Sequence, residues 1–210
     1  GKTFTAKLTT GFKTREEAEA FLKSCVGADF MLSDIQMKPA TKTPAPPFTT
    51  STLQQEASRK LYFPVAKTMR TAQALYEAGL ITYMRTDSVN LSNDAKTAAQ
   101  NAIIDFYGEA YSKPRNYRTK SKGAQEAHEA IRPTNLNNRS VSRDRDQDRL
   151  YSLIWKRTIA SQMSNAQLER TSVKVKNNKN TNIFAAKGEV IKFDGFLKVY
   201  IEGKDNNGEE

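Results

Sequence analysis

Four of the nine residues in PATKTPAPP (39–47) are proline. Proline fixes φ and removes an amide donor, so neither a long helix nor an interior strand is expected to run through this stretch. It reads as a linker and a domain boundary. Before it the pattern is mostly sheet. In TFTAKL (3–8) Phe4, Ala6 and Leu8 alternate onto one face, as in a half-buried strand. TREEAEAFLKS (14–24) has Thr14 and Glu17 at capping-box spacing and an apolar stripe of Ala18, Phe21 and Leu22, which predicts a helix. FMLSDIQMK (30–38) reads as another strand.

Beyond the prolines the period changes to that of helices, and four are legible. Ser51 and Gln54 have capping-box spacing ahead of Leu53, Ala57 and Leu61. Pro64 opens the next, which carries Val65, Met69, Ala72 and Tyr76 and stops at Gly79. Ser92 or Asn93 caps a third, with Ala95, Ala99, Ala102, Ile103 and Phe106 inward and Gly108 past its end. The polar, basic run 109–125 reads as an exposed loop, and a last helix spans about 143–163. Alternation then returns in LERTSVKVK, NIFAAKG and VIKFDGFLKVYIE, with Gly195 as a turn or bulge. Neither flank has enough strands for a stable face alone. The expected fold class is therefore α+β: a helical domain, 43–166, inserted into a mostly β domain made of 1–42 and 167–210.

At 210 residues the chain can bury a substantial core, and 38% hydrophobic with 27% charged residues fits a globular protein. No apolar run approaches the roughly 18 residues of a membrane span, and GKTFTAKLTTGF has no signal-peptide character. One cysteine, Cys25, excludes an internal disulfide, and with one histidine, His128, a Cys/His zinc site within the chain is excluded too. The setting this implies is a reducing cytoplasm, without a membrane. The formal charge of +10 points to a polyanionic partner, nucleic acid first. The abrupt ends read as those of a fragment of a longer protein.

GLITYMRTDS (79–88) carries the chemistry. In an extended run, residues two apart share a face. Ile81, Tyr83, Arg85 and Asp87 then form one row, with Thr82, Met84 and Thr86 behind. A free phenol titrates near pH 10, so about one in a thousand is ionised at neutral pH. To act as a nucleophile it needs a neighbouring positive group that favours phenolate and the charge developing on a phosphate. Arg85 is spaced to provide that, with a planar fork suited to phosphate oxygens, and Asp87 to orient the arginine. A surface strand with an ion pair and a half-buried tyrosine satisfies the same spacing.

Together with PFTTSTLQQEAS (47–58) and AHEAIRPT (127–134), this run resembles the type IA DNA topoisomerases, the bacterial topoisomerase I group. The motifs occur in order, and LYSLIWKRTIASQMSNAQ (150–167) is similar to the helix that follows them in that family. The likeness is close over about 47–170 and looser over the β flanks. It implies a tyrosine-bearing gate domain inserted into an arch-like β domain. It also implies that Tyr83 attacks a single-stranded DNA phosphodiester and stays joined to a 5′ phosphate. Arg85 would position Tyr83 and the scissile phosphate, and His128 would donate a hydrogen bond to that phosphate. Asp87 takes a supporting role.

Other candidates keep two readings. A lone histidine such as His128 is often structural. Ser51, Thr52 and Gln54 could bond DNA phosphate or serve the helix cap, and helix N-termini do both. Arg59, with Lys60 and Arg70, is a candidate backbone contact or an ordinary solvated side chain. The aspartates of DRDQD (144–148) have metal-like spacing, yet they open a helix, where its dipole favours negative charge. In the resembled family Mg²⁺ is held by a DxDxE motif of a separate N-terminal domain, so these residues are expected to hold no metal. The implied partners are single-stranded DNA and the remaining domains of the same bacterial, monomeric enzyme, and the fragment alone is expected to be inactive. The competing classes are a non-catalytic single-stranded DNA-binding module and a structural domain whose charge is incidental.

Overall fold

The computed structural model describes residues 3–117, 129–141 and 144–201. These described residues form two compact units, one drawn from within 1–42 and 167–193 and one from within 43–166 and 194–210.

The first unit is a four-stranded sheet with one helix. Its strands are β1 (Lys7–Leu8), β2 (Phe30–Lys42), β3 (Ala166–Asn177) and β4 (Ile183–Phe193), in the order β1-β4-β3-β2. The sequence-distant flanks therefore pair across the inserted helices, as the strand count required. β3 and β4 form an antiparallel hairpin, and NIFAAKG and the start of the next alternating run are one strand through Gly188. The N-terminal strand is short, only Lys7 and Leu8 pairing with Ala185 and Phe184. β2 runs through Pro39 to Lys42, into the stretch read as a linker. It lies at the sheet edge, where a missing amide donor costs no ladder bond. Helix α1 (Arg15–Cys25) starts at Thr14, whose hydroxyl accepts from the Glu17 amide at 3.2 Å. Its Phe21 stacks with Phe12 and Phe184 at ring distances of 5.0 and 6.0 Å.

The second unit holds α2 (Thr50–Leu61), α3 (Val65–Glu77), α4 (Asn93–Tyr107) and α5 (Arg145–Ser161). α5 is its axis: Leu150, Ile154 and Ile159 are fully enclosed, packed with Leu53, Leu75, Ala99 and Ile103 of the other helices. Enclosing each such aliphatic side chain stabilises the fold by about 1.5–3 kcal/mol. Asp144 caps α5 by accepting from the Gln147 amide at 2.8 Å, so the helix starts at Arg145. The other two aspartates of DRDQD are also engaged. Asp146 pairs with Lys67 at 2.6 Å, and Asp148 accepts from the Ser140 hydroxyl at 2.6 Å. Part of the run read as an exposed loop is ordered on this core. Ser112 bridges to Met163, and the Tyr117 hydroxyl donates to the Pro44 and Ser161 carbonyls.

Two local expectations are corrected. The cap of α2 is not the Ser51/Gln54 pair but Thr49 with Thr52, two residues earlier, in a reciprocal capping box. Both spacings suit a cap; the Thr49–Thr52 box lets the helix begin where Phe48 is already enclosed. Residues 194–201, expected to continue the β part, belong to the helical unit. β4 ends at Phe193, Gly195 turns with φ of 51°, and a 3-10 turn (Gly195–Lys198) follows. A Cβ at Gly195 would come within 2.5 Å of the Ser164 and Asn165 carbonyls, so only glycine fits. The turn delivers Phe196 and Tyr200 into the helical core, where the Tyr200 hydroxyl donates to the buried Glu56 carboxylate at 2.5 Å. Burial and that carboxylate push the Tyr200 hydroxyl well above its ordinary range.

Candidate active site

α3 ends in a Schellman motif that aims the chain into GLITYMRTDS. Gly79, with φ of 71°, donates to the Tyr76 carbonyl at 2.8 Å, and Leu80 donates to the Leu75 carbonyl at 2.9 Å. The segment that follows is not a strand. Its one bridge joins Ile81 to Pro133. Alternation nevertheless holds from residue 83: Tyr83, Arg85 and Asp87 are exposed, while Met84 and Ser88 are buried and Thr86 is half-buried. Ile81 departs from the expected row, being 1% exposed in the core.

Side-chain hydroxyls replace a sheet ladder. The Thr82 amide donates to the Arg132 carbonyl at 2.8 Å, its hydroxyl donates to the Ala130 carbonyl at 2.7 Å, and the Arg132 amide donates back to that hydroxyl at 2.9 Å. Thr50, first residue of α2, holds the other end. Its hydroxyl donates to the Met84 carbonyl at 2.8 Å and accepts from the Thr86 amide at 2.9 Å. The Ile131 amide completes the ring by donating to the Phe48 carbonyl at 2.9 Å. All three motifs, from PFTTST to the described EAIRPT (129–134), thus meet at one place.

Glu129 stiffens the third motif. Its carboxylate accepts from the Ser92 amide at 2.7 Å and from the Arg132 guanidinium at 2.6 and 3.1 Å. Burial works against its ionisation, but the Ser92 and Arg132 bonds outweigh this and hold the carboxyl below its ordinary range.

The Tyr83 ring meets Tyr76 edge-on, at 5.2 Å and 65° between planes, and stays 46% exposed. That contact holds the ring while leaving nearly half of the residue open to solvent. Arg85 and Asp87 line a shallow depression of about 400 Å³ with Thr50, Ser51 and Thr86. Arg85 makes no ion pair or hydrogen bond among the described residues, so the expected Arg85–Asp87 bond does not form here. The N-terminus of α2 opens on the same depression, bringing its positive dipole end beside the guanidinium.

The structure therefore brings Ser51 to Arg85 and Asp87. Thr52 is used in the cap, Gln54 is half-buried one turn on, and Arg59 lies farther along α2, paired with Glu56 at 3.1 Å. His128 lies outside the described residues. Sequence reasoning missed Thr50, Thr82 and Tyr76 as positioning groups. The signal was there: threonines alternate with the functional row in ITYMRT and crowd the start of α2.

Comparisons with known proteins place the chain in a family. A family profile described as DNA topoisomerase matches residues 1–210. The DNA topoisomerase 1 of Zymomonas mobilis is 48% identical over 206 residues, covering 97% of this chain and 17% of that protein. That of Synechocystis sp. is 48% identical over 195 residues, covering 90% and 22%. The solved full-length topoisomerase I from Thermotoga maritima superposes with a TM-score of 0.79 at 36% identity, over 98% of this chain and 35% of that one. The chain belongs to the DNA topoisomerase family, in its type IA branch. It spans between about a sixth and a quarter of the length of these two curated relatives.

Proposed function

We propose that these residues form the tyrosine-bearing gate of an enzyme that cleaves and rejoins one DNA strand, relaxing negative supercoils. The observation that carries this reading is the exposed Tyr83–Arg85 pair on a segment pinned by both other motifs. The Tyr83 oxygen attacks phosphorus and forms a phosphotyrosyl ester to the 5′ side. The bond to the 3′ oxygen breaks, and that oxygen takes up a proton as the phenol gives one up. One ester is exchanged for another, so rejoining needs no outside energy source. Arg85 and the α2 N-terminus neutralise the non-bridging oxygens as charge builds there. His128 donates to the same phosphate, and Ser51, Thr52, Gln54 and Arg59 are backbone-contact candidates, Ser51 foremost because it shares the depression.

The substrate is single-stranded DNA, and the other domains of the same polypeptide complete the site. Mg²⁺ would neutralise phosphate charge in the complete enzyme. The family resemblance assigns its ligands to a separate N-terminal domain; among the described residues no three His, Cys, Asp or Glu side chains come together. A monomer in the bacterial cytoplasm fits the reading, and no helix among the described residues is long and apolar enough to cross a membrane. The test is relaxation of a negatively supercoiled plasmid by the full-length enzyme containing these residues. Tyr83→Phe should abolish it while leaving the melting temperature unchanged; relaxation by that variant would refute the assignment.

A further inference from the structure

Tyr62 is the single non-glycine residue with positive φ, 58°, among the described residues, and it is 84% exposed. It occupies the left-handed position that ends α2, where a residue without Cβ fits at less strain. The helix end is sealed by backbone and not by the Tyr62 ring: the Tyr62 and Phe63 amides both donate to the Ala57 carbonyl, the latter at 3.2 Å, and Phe63 is 2% exposed. A large ring in a strained backbone position, turned to solvent, contributes little to the fold.

Next to it in sequence, Lys60 and Leu61 line a groove of about 510 Å³. Arg149, Lys156 and Lys198 line it too, over a floor that includes Tyr200. Arg149 donates to the Leu61 carbonyl at 3.2 Å, tying the groove to the residue before Tyr62. Asp148 is the acid in the lining, and its carboxylate is engaged by Ser140 and the Val141 amide. Lys156 is exposed and has no partner among the described residues. Arg149 also pairs with Asp146 at 4.0 Å, the Lys198 ammonium donates to the Tyr111 hydroxyl at 3.2 Å, and Lys60 lies over the Tyr200 ring. The lining still carries four cations to one acid, which suits a chain of phosphates. Tyr62, exposed and next in sequence to the groove's Leu61, suits a base, since every base has a face to stack. The groove lies at the opposite end of α2 from Ser51, about 15 Å away by helix rise.

We propose that this groove is a second contact for a single DNA strand, with Lys60, Arg149, Lys156 and Lys198 holding phosphates and Tyr62 stacking on a base. The inference rests on the nucleic-acid reading above but not on the chemistry of Tyr83. It is tested by fluorescence anisotropy of the 210-residue chain with labelled oligo(dT) over a range of salt. Tyr62→Gly removes the ring and the strain together. It should keep or raise the melting temperature and weaken binding about fivefold or more. Lys156→Gln should reduce the slope of log affinity against log salt by about 0.7. If the parent binds and both variants keep affinity within twofold with an unchanged slope, the groove proposal fails while the reading of the Tyr83 site stands. Parent protein that binds no oligonucleotide even at low salt would overturn both. Displacement by polyglutamate as effective as by unlabelled oligo(dT) would reassign the groove to acidic polymers and overturn the proposal.

Discussion

Thr50 and Thr86 hold each other in both directions: the Thr50 amide donates to the Thr86 carbonyl at 2.9 Å, and the Thr86 amide donates to the Thr50 hydroxyl at 2.9 Å. This reciprocal pair, with the Thr50 bond to the Met84 carbonyl, keeps residues 83–87 extended without a sheet. It also fixes Arg85 against the N-terminus of α2, which is the arrangement the proposed chemistry needs.

Thr50→Val keeps the shape and removes the hydroxyl, leaving the Thr86 amide and the Met84 carbonyl without that partner. The cost should be about 1–3 kcal/mol, as for other unsatisfied buried groups. A thermal melt should register it at roughly 2–4 °C per kcal/mol for a chain of this size. Strand cleavage in the full-length enzyme should slow about tenfold or more, because the arginine is no longer held in register. Parent-like melting and cleavage together would mean that another contact positions the segment.

Much of the helical unit was legible because α3, α4 and α5 carry clear stripes and caps, with Gly79 and Gly108 where the helices stop. The row of Tyr83, Arg85 and Asp87 was legible as well, but for the wrong local reason. Alternation there comes from threonine hydroxyls that substitute for strand partners, and a single sequence does not reveal which carbonyls they meet. Pro39 inside β2 was misread because edge position is a property of the sheet and not of the residue. Residues 194–200 alternate like a strand, yet the close approach of Gly195 to two carbonyls, visible only in three dimensions, turns them into the helical core.

Arg85→Lys retains the charge and loses the two-pronged geometry. Single-turnover cleavage by the full-length enzyme should slow by about 10²-fold, as for removal of one transition-state donor, while DNA affinity changes little. A rate within threefold of the parent would reduce Arg85 to a surface cation.

Glu129 makes stability depend on pH in a defined direction. Its carboxyl is held below the ordinary value of 4.5, so the unfolded chain binds the proton more readily. The stabilisation is therefore fully present above that ordinary value and is lost as pH falls through the lower folded one. Melting temperatures of the parent should drop across this acid window, and Glu129→Gln should flatten that drop while lowering stability at neutral pH. An identical acid profile for parent and variant would contradict the role given to the Ser92 and Arg132 bonds.

In the proposed reading the 210-residue chain alone supplies a nucleophile and part of the charge stabilisation. Proton delivery to the leaving oxygen and enclosure of a strand are assigned to the other domains. It should bind single-stranded DNA weakly, lose that binding as salt rises, and leave plasmid linking number unchanged with or without Mg²⁺. Relaxation by the isolated chain that Tyr83→Phe abolishes would mean the half-site suffices.

The central claim is that Tyr83 becomes covalently joined to DNA. The direct measurement traps the full-length enzyme on a single-stranded oligonucleotide under denaturing conditions, digests the adduct and maps the modified residue by mass spectrometry. The account requires a 5′-phosphotyrosyl link on the peptide carrying Tyr83 and none in Tyr83→Phe. A link on Tyr76, whose ring lies 5.2 Å away, or an adduct that survives Tyr83→Phe would contradict it.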